Sequence, residues 1–248
     1  MPSDLFQKWL RAAPSSNPTV TLYKERAGGR AIGLAALKKL LAEHFVGEEV
    51  IVRAGGYAKS AAIIANSLPS SKRTRSGDLC ELLATEHIRS ETAFRIPINK
   101  LRWKSDRQMP MHGNDVIGVN AMASPVRVIK GECKSRASFG NAVVKEAADG
   151  LDKHEGRPNP STLAFIAKRL YEDDRDGEAD VFRDLLCAAA IAPKNITHMI
   201  FAMTGNDPSK HLADAPKPKQ PGITRTGVGI HIGDHGEFVH AVFEPDGS

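Results

Sequence analysis

Asp115, Glu132 and Lys134 are the residues of this sequence whose types and spacing best suit a shared chemistry. Asp115 stands before a Val/Ile run, Val116-Ile117-Gly118-Val119. A second apolar run begins at Pro125 and ends in Lys130-Gly131-Glu132-Cys133-Lys134. Between them lie the small residues Asn120-Ala121-Met122-Ala123-Ser124. The pattern predicts a β-hairpin. With the turn centred between Ala123 and Ser124, Asp115 comes opposite Glu132. Lys134, two positions further on, points from the same face. Two carboxylates and an ammonium then meet at one end of the hairpin. Carboxylate oxygens of this kind are the donors that a hard divalent cation prefers.

Asp, then sixteen residues, then Glu-x-Lys resembles the motif of PD-(D/E)xK nucleases. The resemblance implies phosphodiester hydrolysis with Mg²⁺, for which Mn²⁺ can substitute. Asp115 and Glu132 would supply metal ligands, and the carbonyl of Cys133 another. Lys134 would position the attacking water and stabilise the negative charge that develops on the phosphate.

In such enzymes a helix before the hairpin commonly contributes a further glutamate. A helix is predicted from Gly77 to Ile88, with Ser76 or Asp78 as its cap. Two glutamates compete on it. Glu81 matches the Gly-x-x-x-Glu spacing that the resemblance associates with that helix. Glu86 falls among Leu79, Leu82 and Leu83, inside the apolar stripe. A carboxylate there needs a partner or a metal to offset its desolvation. Glu81 is the first choice and Glu86 the alternative.

The flanks are basic. Lys72, Arg73 and Arg75 lie in a predicted loop before this helix, and Ser135 and Arg136 directly follow the lysine. All five are candidate nucleic-acid contacts.

The remaining chain must position these groups. Helices are expected near residues 5–10, 31–46, 57–68, 138–153, 161–172 and 177–190. Strands are expected at 19–23, 49–53, 92–98, 196–203, 227–232 and 238–243, with an exposed loop over 204–224. The order is that of an α/β fold, a mixed central sheet flanked by helices, compatible with a PD-(D/E)xK core. The expected division is a region 1–70 packing on a core 71–248, or one continuous domain. His231, His235 and His240 lie close in sequence, but no matching carboxylate or cysteine pattern accompanies them, so zinc is disfavoured.

The 248 residues are enough for a sizeable core. Lys and Arg number 34 against 29 Asp and Glu, a mild basic excess that favours an anionic partner. The three cysteines form no CxxC pair and no disulfide framework, which fits a reducing cytoplasm. No apolar run is long enough to span a membrane, and the first ten residues lack the apolar core of a signal peptide.

The acidic helix, Gly113-Asn114-Asp115-Val116-Ile117-Gly118-Val119, Gly131-Glu132-Cys133-Lys134-Ser135 and the strand Thr197-His198-Met199-Ile200-Phe201-Ala202 together resemble the HamA-type effectors of the Hachiman anti-phage defence system. The likeness runs over roughly residues 20–245. It implies a cytoplasmic, metal-dependent DNA endonuclease controlled by a helicase partner, HamB. No Gly-x-x-x-x-Gly-Lys-Ser/Thr loop is present, so an ATP-driven step would belong to another chain. A stand-alone restriction or repair nuclease, and a non-catalytic nucleic-acid-binding subunit, are the alternatives.

Overall fold

The structure is a computed structural model that describes residues 5–187 and 191–244. It is an α/β fold: one six-stranded mixed sheet with helices on both faces. The elements run α1 (Leu5–Trp9), β1 (Leu10–Ala13), β2 (Val20–Glu25), α2 (Gly29–Phe45), α3 (Glu48–Arg53), α4 (Tyr57–Ser67), α5 (Lys72–Glu91), β3 (Val116–Asn120) and β4 (Arg127–Arg136). Then follow α6 (Asn141–Leu151), α7 (Pro160–Glu172), α8 (Asp176–Leu186), β5 (Ile196–Thr204), α9 (Ser209–Ala213), β6 (Thr224–His231) and α10 (His235–Phe243).

The strand order is β1-β2-β6-β5-β4-β3. β2, β6, β5 and β4 are parallel, and the antiparallel pairs β1–β2 and β3–β4 form the edges. All nine residues of β5 are buried, as a strand covered on both faces requires. Its side chains alternate: Met199, Phe201 and Met203 join the core under α1, α2, α5 and α10, and Ile200 and Ala202 pack on the other side with α6 and Leu212. A third cluster joins α7 and α8 to β3 through Ile117, Val119, Leu163 and Phe182.

Several elements differ from expectation, each for a local reason. Glu49 to Arg53, expected as a strand, lies in helix α3; Glu48 and Glu49 sit in its first turn, where acidic side chains favour a helix start. Phe238 to Phe243, also expected as a strand, is α10; its buried His235, Phe238, Val239, Val242 and Phe243 recur at helical spacing. Residues 92–98, expected as a strand, contribute only the bridge Arg95–Val119, and Pro97 has no N–H to continue a ladder. Helix α5 begins at Lys72, capped by Ser71, whose side chain accepts from Thr74 N–H at 3.1 Å. The basic run is therefore helical, and neither Ser76 nor Asp78 is the cap. Helix α6 starts at Asn141 rather than Ser138, and α9 interrupts the expected loop 204–224. The expected last turn of α8, with Ala188 and Ala189, lies outside the described residues.

Candidate functional site

The hairpin fixes the geometry. β3 and β4 pair Val116 with Gly131 and Asn120 with Arg127, so one step beyond the first pair Asp115 faces Glu132. Asp115 Oδ2 accepts the backbone N–H of Cys133 at 2.7 Å, which ties the start of β3 to β4. Lys134 Nζ lies 3.1 Å from Glu132 Oε1. The same ammonium lies 2.8 Å from Oε1 of Glu146 on α6.

Glu132 is packed against α6. A Cβ placed on Gly150 would meet the Glu132 carboxyl carbon at 3.0 Å, so the helix approaches the carboxylate through a residue with no side chain. Lys130, on the same face of β4, is fully buried and anchors the end of α6. Its Nζ donates to the carbonyls of Leu151 at 2.7 Å, Lys153 at 3.0 Å and Arg157 at 2.9 Å. All three donors of the ammonium are thereby used, and its charge complements the negative end of the helix.

On the opposite face, α5 brings Glu81 to the same neighbourhood. The residue as a whole is half-buried, but Glu81 Oε2 is closed off from solvent and has no hydrogen-bond partner among the described residues. Burial, and after it the charge of Asp115, hold the Glu81 carboxyl well above the ordinary glutamate range. Burial also raises Asp115, against the Cys133 N–H and the charges of Lys100 and Lys134. Burial and Asp115 push Glu132 up to about 7, with Lys134 and Lys130 opposing. Asp115 therefore acts on both glutamates. Burial thus opposes ionisation of all three carboxyls, Glu81, Asp115 and Glu132.

Glu86 belongs elsewhere. Its Oε1 lies 2.9 Å from His44 Nε2 on α2 and 2.7 Å from Arg89 Nη1. Burial disfavours the charged form of His44, against its contact with Glu86, and Arg89 supplies a further countercharge. Burial opposes ionisation of Glu86, yet these partners bring it down to about 2. The apolar-stripe argument correctly marks Glu86 as buried, and its compensating partners are a histidine and an arginine.

The candidate nucleic-acid contacts separate into two groups. Lys72, Arg73 and Arg136 are exposed. Arg75 is taken up internally: it donates to the Pro69 carbonyl at 2.9 Å and covers the Phe243 ring. Ser135 is buried, with its hydroxyl 2.7 Å from Ser76 Oγ and 2.8 Å from His235 Nε2. That contact also removes His235 from the histidine group near the C-terminal end.

Sequence reasoning missed Glu146 and the pair of lysines after α5. Lys100 donates to the Asn114 carbonyl at 2.5 Å, and its charge acts on Glu81 and Asp115. Lys104 holds the buried Asp78 at 2.7 Å. These contacts are made across elements, with no local spacing to announce them. Among the described residues, no three His, Cys, Asp or Glu side chains are already gathered as a metal cage. Nor is any helix among them long and apolar enough to cross a membrane.

A sequence profile of the HamA family matches residues 4–244, nearly the whole chain. The chain belongs to the HamA family. Its relatives include the Hachiman protein HamA of Bacillus cereus, 30% identical over 147 residues. The aligned part is 58% of this chain and 51% of that HamA protein, so the chain spans about half the length of its relative.

Proposed function

We propose that this HamA-family chain is the metal-dependent DNA endonuclease of a Hachiman anti-phage defence complex, built on a PD-(D/E)xK core and controlled by a helicase partner of the HamB type. The observation that carries this reading is the buried, unpartnered Oε2 of Glu81 beside Asp115, with Glu132 and Lys134 adjoining. An isolated buried carboxylate is costly, and a hard divalent cation is the natural counterion for a set of oxygen donors.

In this reading Asp115, Glu132 and Glu81, with the carbonyl of Cys133, hold the ion. Mg²⁺, or Mn²⁺ in its place, would acidify a water and offset charge on the phosphate when held there. Lys134 donates its N–H groups to the attacking water and to the phosphate oxygens. Lys72, Arg73 and Arg136 attract the DNA backbone from the exposed rim.

A second reading has its own observation. Lys134 is bonded to Glu132 and Glu146, and no ready cage exists among the described residues. That arrangement fits a nucleic-acid-binding subunit that keeps the fold without cutting.

Plasmid cleavage separates the two. In assays with the helicase partner present and absent, the nuclease reading requires cleavage with Mg²⁺ in at least one of the two, abolished by chelator and by Glu132→Ala or Lys134→Ala. Intact plasmid in every case, or variants that cut like native protein, would sink it.

A further inference from the structure

Lys134 is held by two carboxylates, only one of which the motif accounts for. Its Nζ is 2.8 Å from Glu146 and 3.1 Å from Glu132, and its side chain is 12% exposed. Glu146 projects from α6, which is fixed by the buried Val144, Ala147, Ala148 and Leu151 and by Lys130 at its end. The Glu146 carboxylate is itself 58% exposed. It lies within the fields of Lys134, Arg136 and Arg73.

We infer that Glu146 is a positioning residue of this site: it draws the Lys134 ammonium away from Glu132, so that the Glu132 carboxylate keeps oxygen available for a cation. The inference rests on the metal-holding reading of Glu132 given above. The reasoning is geometric. An ammonium has three donors and a long, flexible stem. With one carboxylate within reach it closes on that carboxylate and competes with any cation there. With a second carboxylate on a rigid helix it is shared, and the shorter of its two contacts is to that second one. Exposed ion pairs usually contribute little to stability, so Glu146 fits placement of the lysine better than support of the fold.

The test is a double-mutant cycle read by calorimetric titration with Mn²⁺. Glu146→Gln, which keeps the shape and removes the charge, should weaken Mn²⁺ binding by roughly tenfold, the scale on which outer partners act on metal affinity. In a Lys134→Met background the same substitution should have no effect, because no ammonium remains to close on Glu132. Where native protein binds Mn²⁺, an equal loss in both backgrounds, or no loss in either, would overturn the inference. A metal-free readout accompanies it. The Lys134 ammonium signal in ¹⁵N spectra, assigned by its absence in Lys134→Met, should shift and exchange faster with water in Glu146→Gln. If native protein binds no Mn²⁺ while that signal changes, the metal reading of Glu132 fails and Glu146 still positions Lys134. If the signal is unchanged, the positioning role fails.

Discussion

Glu86 Oε1 and His44 Nε2 lie 2.9 Å apart, and both side chains are at most 5% exposed. The carboxylate that sequence pattern places in the apolar stripe thus joins α5 to α2. Its removal is a fold defect. Glu86→Ala should cost roughly 3 kcal/mol, the scale for breaking a buried pair and stranding its partner, measured by urea unfolding. Cleavage per folded molecule should persist.

Glu81 should behave in the opposite way. Its Oε2 has no partner to lose among the described residues. Glu81→Gln should leave the unfolding midpoint unchanged or raised, because it removes a group whose ionisation burial opposes. Plasmid cleavage should fall by about 100-fold or more, the scale for losing a group that acts on the reacting centre. Loss of activity in Glu86→Ala with full activity in Glu81→Gln would exchange the two assignments.

The contrast shows what local pattern carries. The pairing of Asp115 with Glu132 is legible because a hairpin is a local object: turn position and period-two alternation set its register. The all-buried β5 is legible for a similar reason. The choice between Glu81 and Glu86 is not, since it depends on His44, 42 positions away on another helix. Glu146 is hidden likewise, as an ordinary surface glutamate until α6 folds over β4. The final segment fails differently: Phe238, Val239, Val242 and Phe243 suit a strand by residue type and a helix by spacing, and packing on α2 and α5 decides for the helix.

Stability should depend on pH through Glu132. Its folded pKa of about 7 lies above the ordinary 4.5. The folded state therefore binds more protons than the unfolded chain between those values, and the Glu132 contribution falls as pH rises through the window. Glu86 acts with the reverse sign: at about 2 when folded, its contribution is present above 4.5 and lost as pH falls toward 2. Metal-free protein should show a stability maximum on the acid side of neutrality in urea titrations. Glu132→Gln should flatten the fall between about 4.5 and 7. An unchanged slope in that variant would count against the raised Glu132.

Gly150 offers a test by crowding. Alanine normally stabilises a helix interior over glycine by up to about 1 kcal/mol. Here the added Cβ would lie 3.0 Å from the Glu132 carboxyl carbon, so the carboxylate must move. Gly150→Ala should leave thermal stability nearly unchanged and lower cleavage by roughly tenfold, the scale on which outer partners of a metal site act. Native-like cleavage would show that the site tolerates a displaced Glu132.

Lys130 should be costly to replace. Lys130→Met leaves the carbonyls of Leu151, Lys153 and Arg157 without their shared donor. The Lys153 carbonyl keeps the Gly156 N–H, and a loss of about 3 kcal/mol is expected from the carbonyls of Leu151 and Arg157 left without a donor, read by urea unfolding. A loss below about 1 kcal/mol, the worth of an ordinary single hydrogen bond, would contradict its anchoring of α6.

The most direct measurement is calorimetric titration of the folded, metal-free protein with Mn²⁺ at neutral pH. The expected result is saturable binding that disappears in Asp115→Asn and Glu132→Gln and persists in Arg136→Gln. Absence of binding by native protein, or undiminished binding by Asp115→Asn and Glu132→Gln, would contradict a divalent-cation site between these carboxylates.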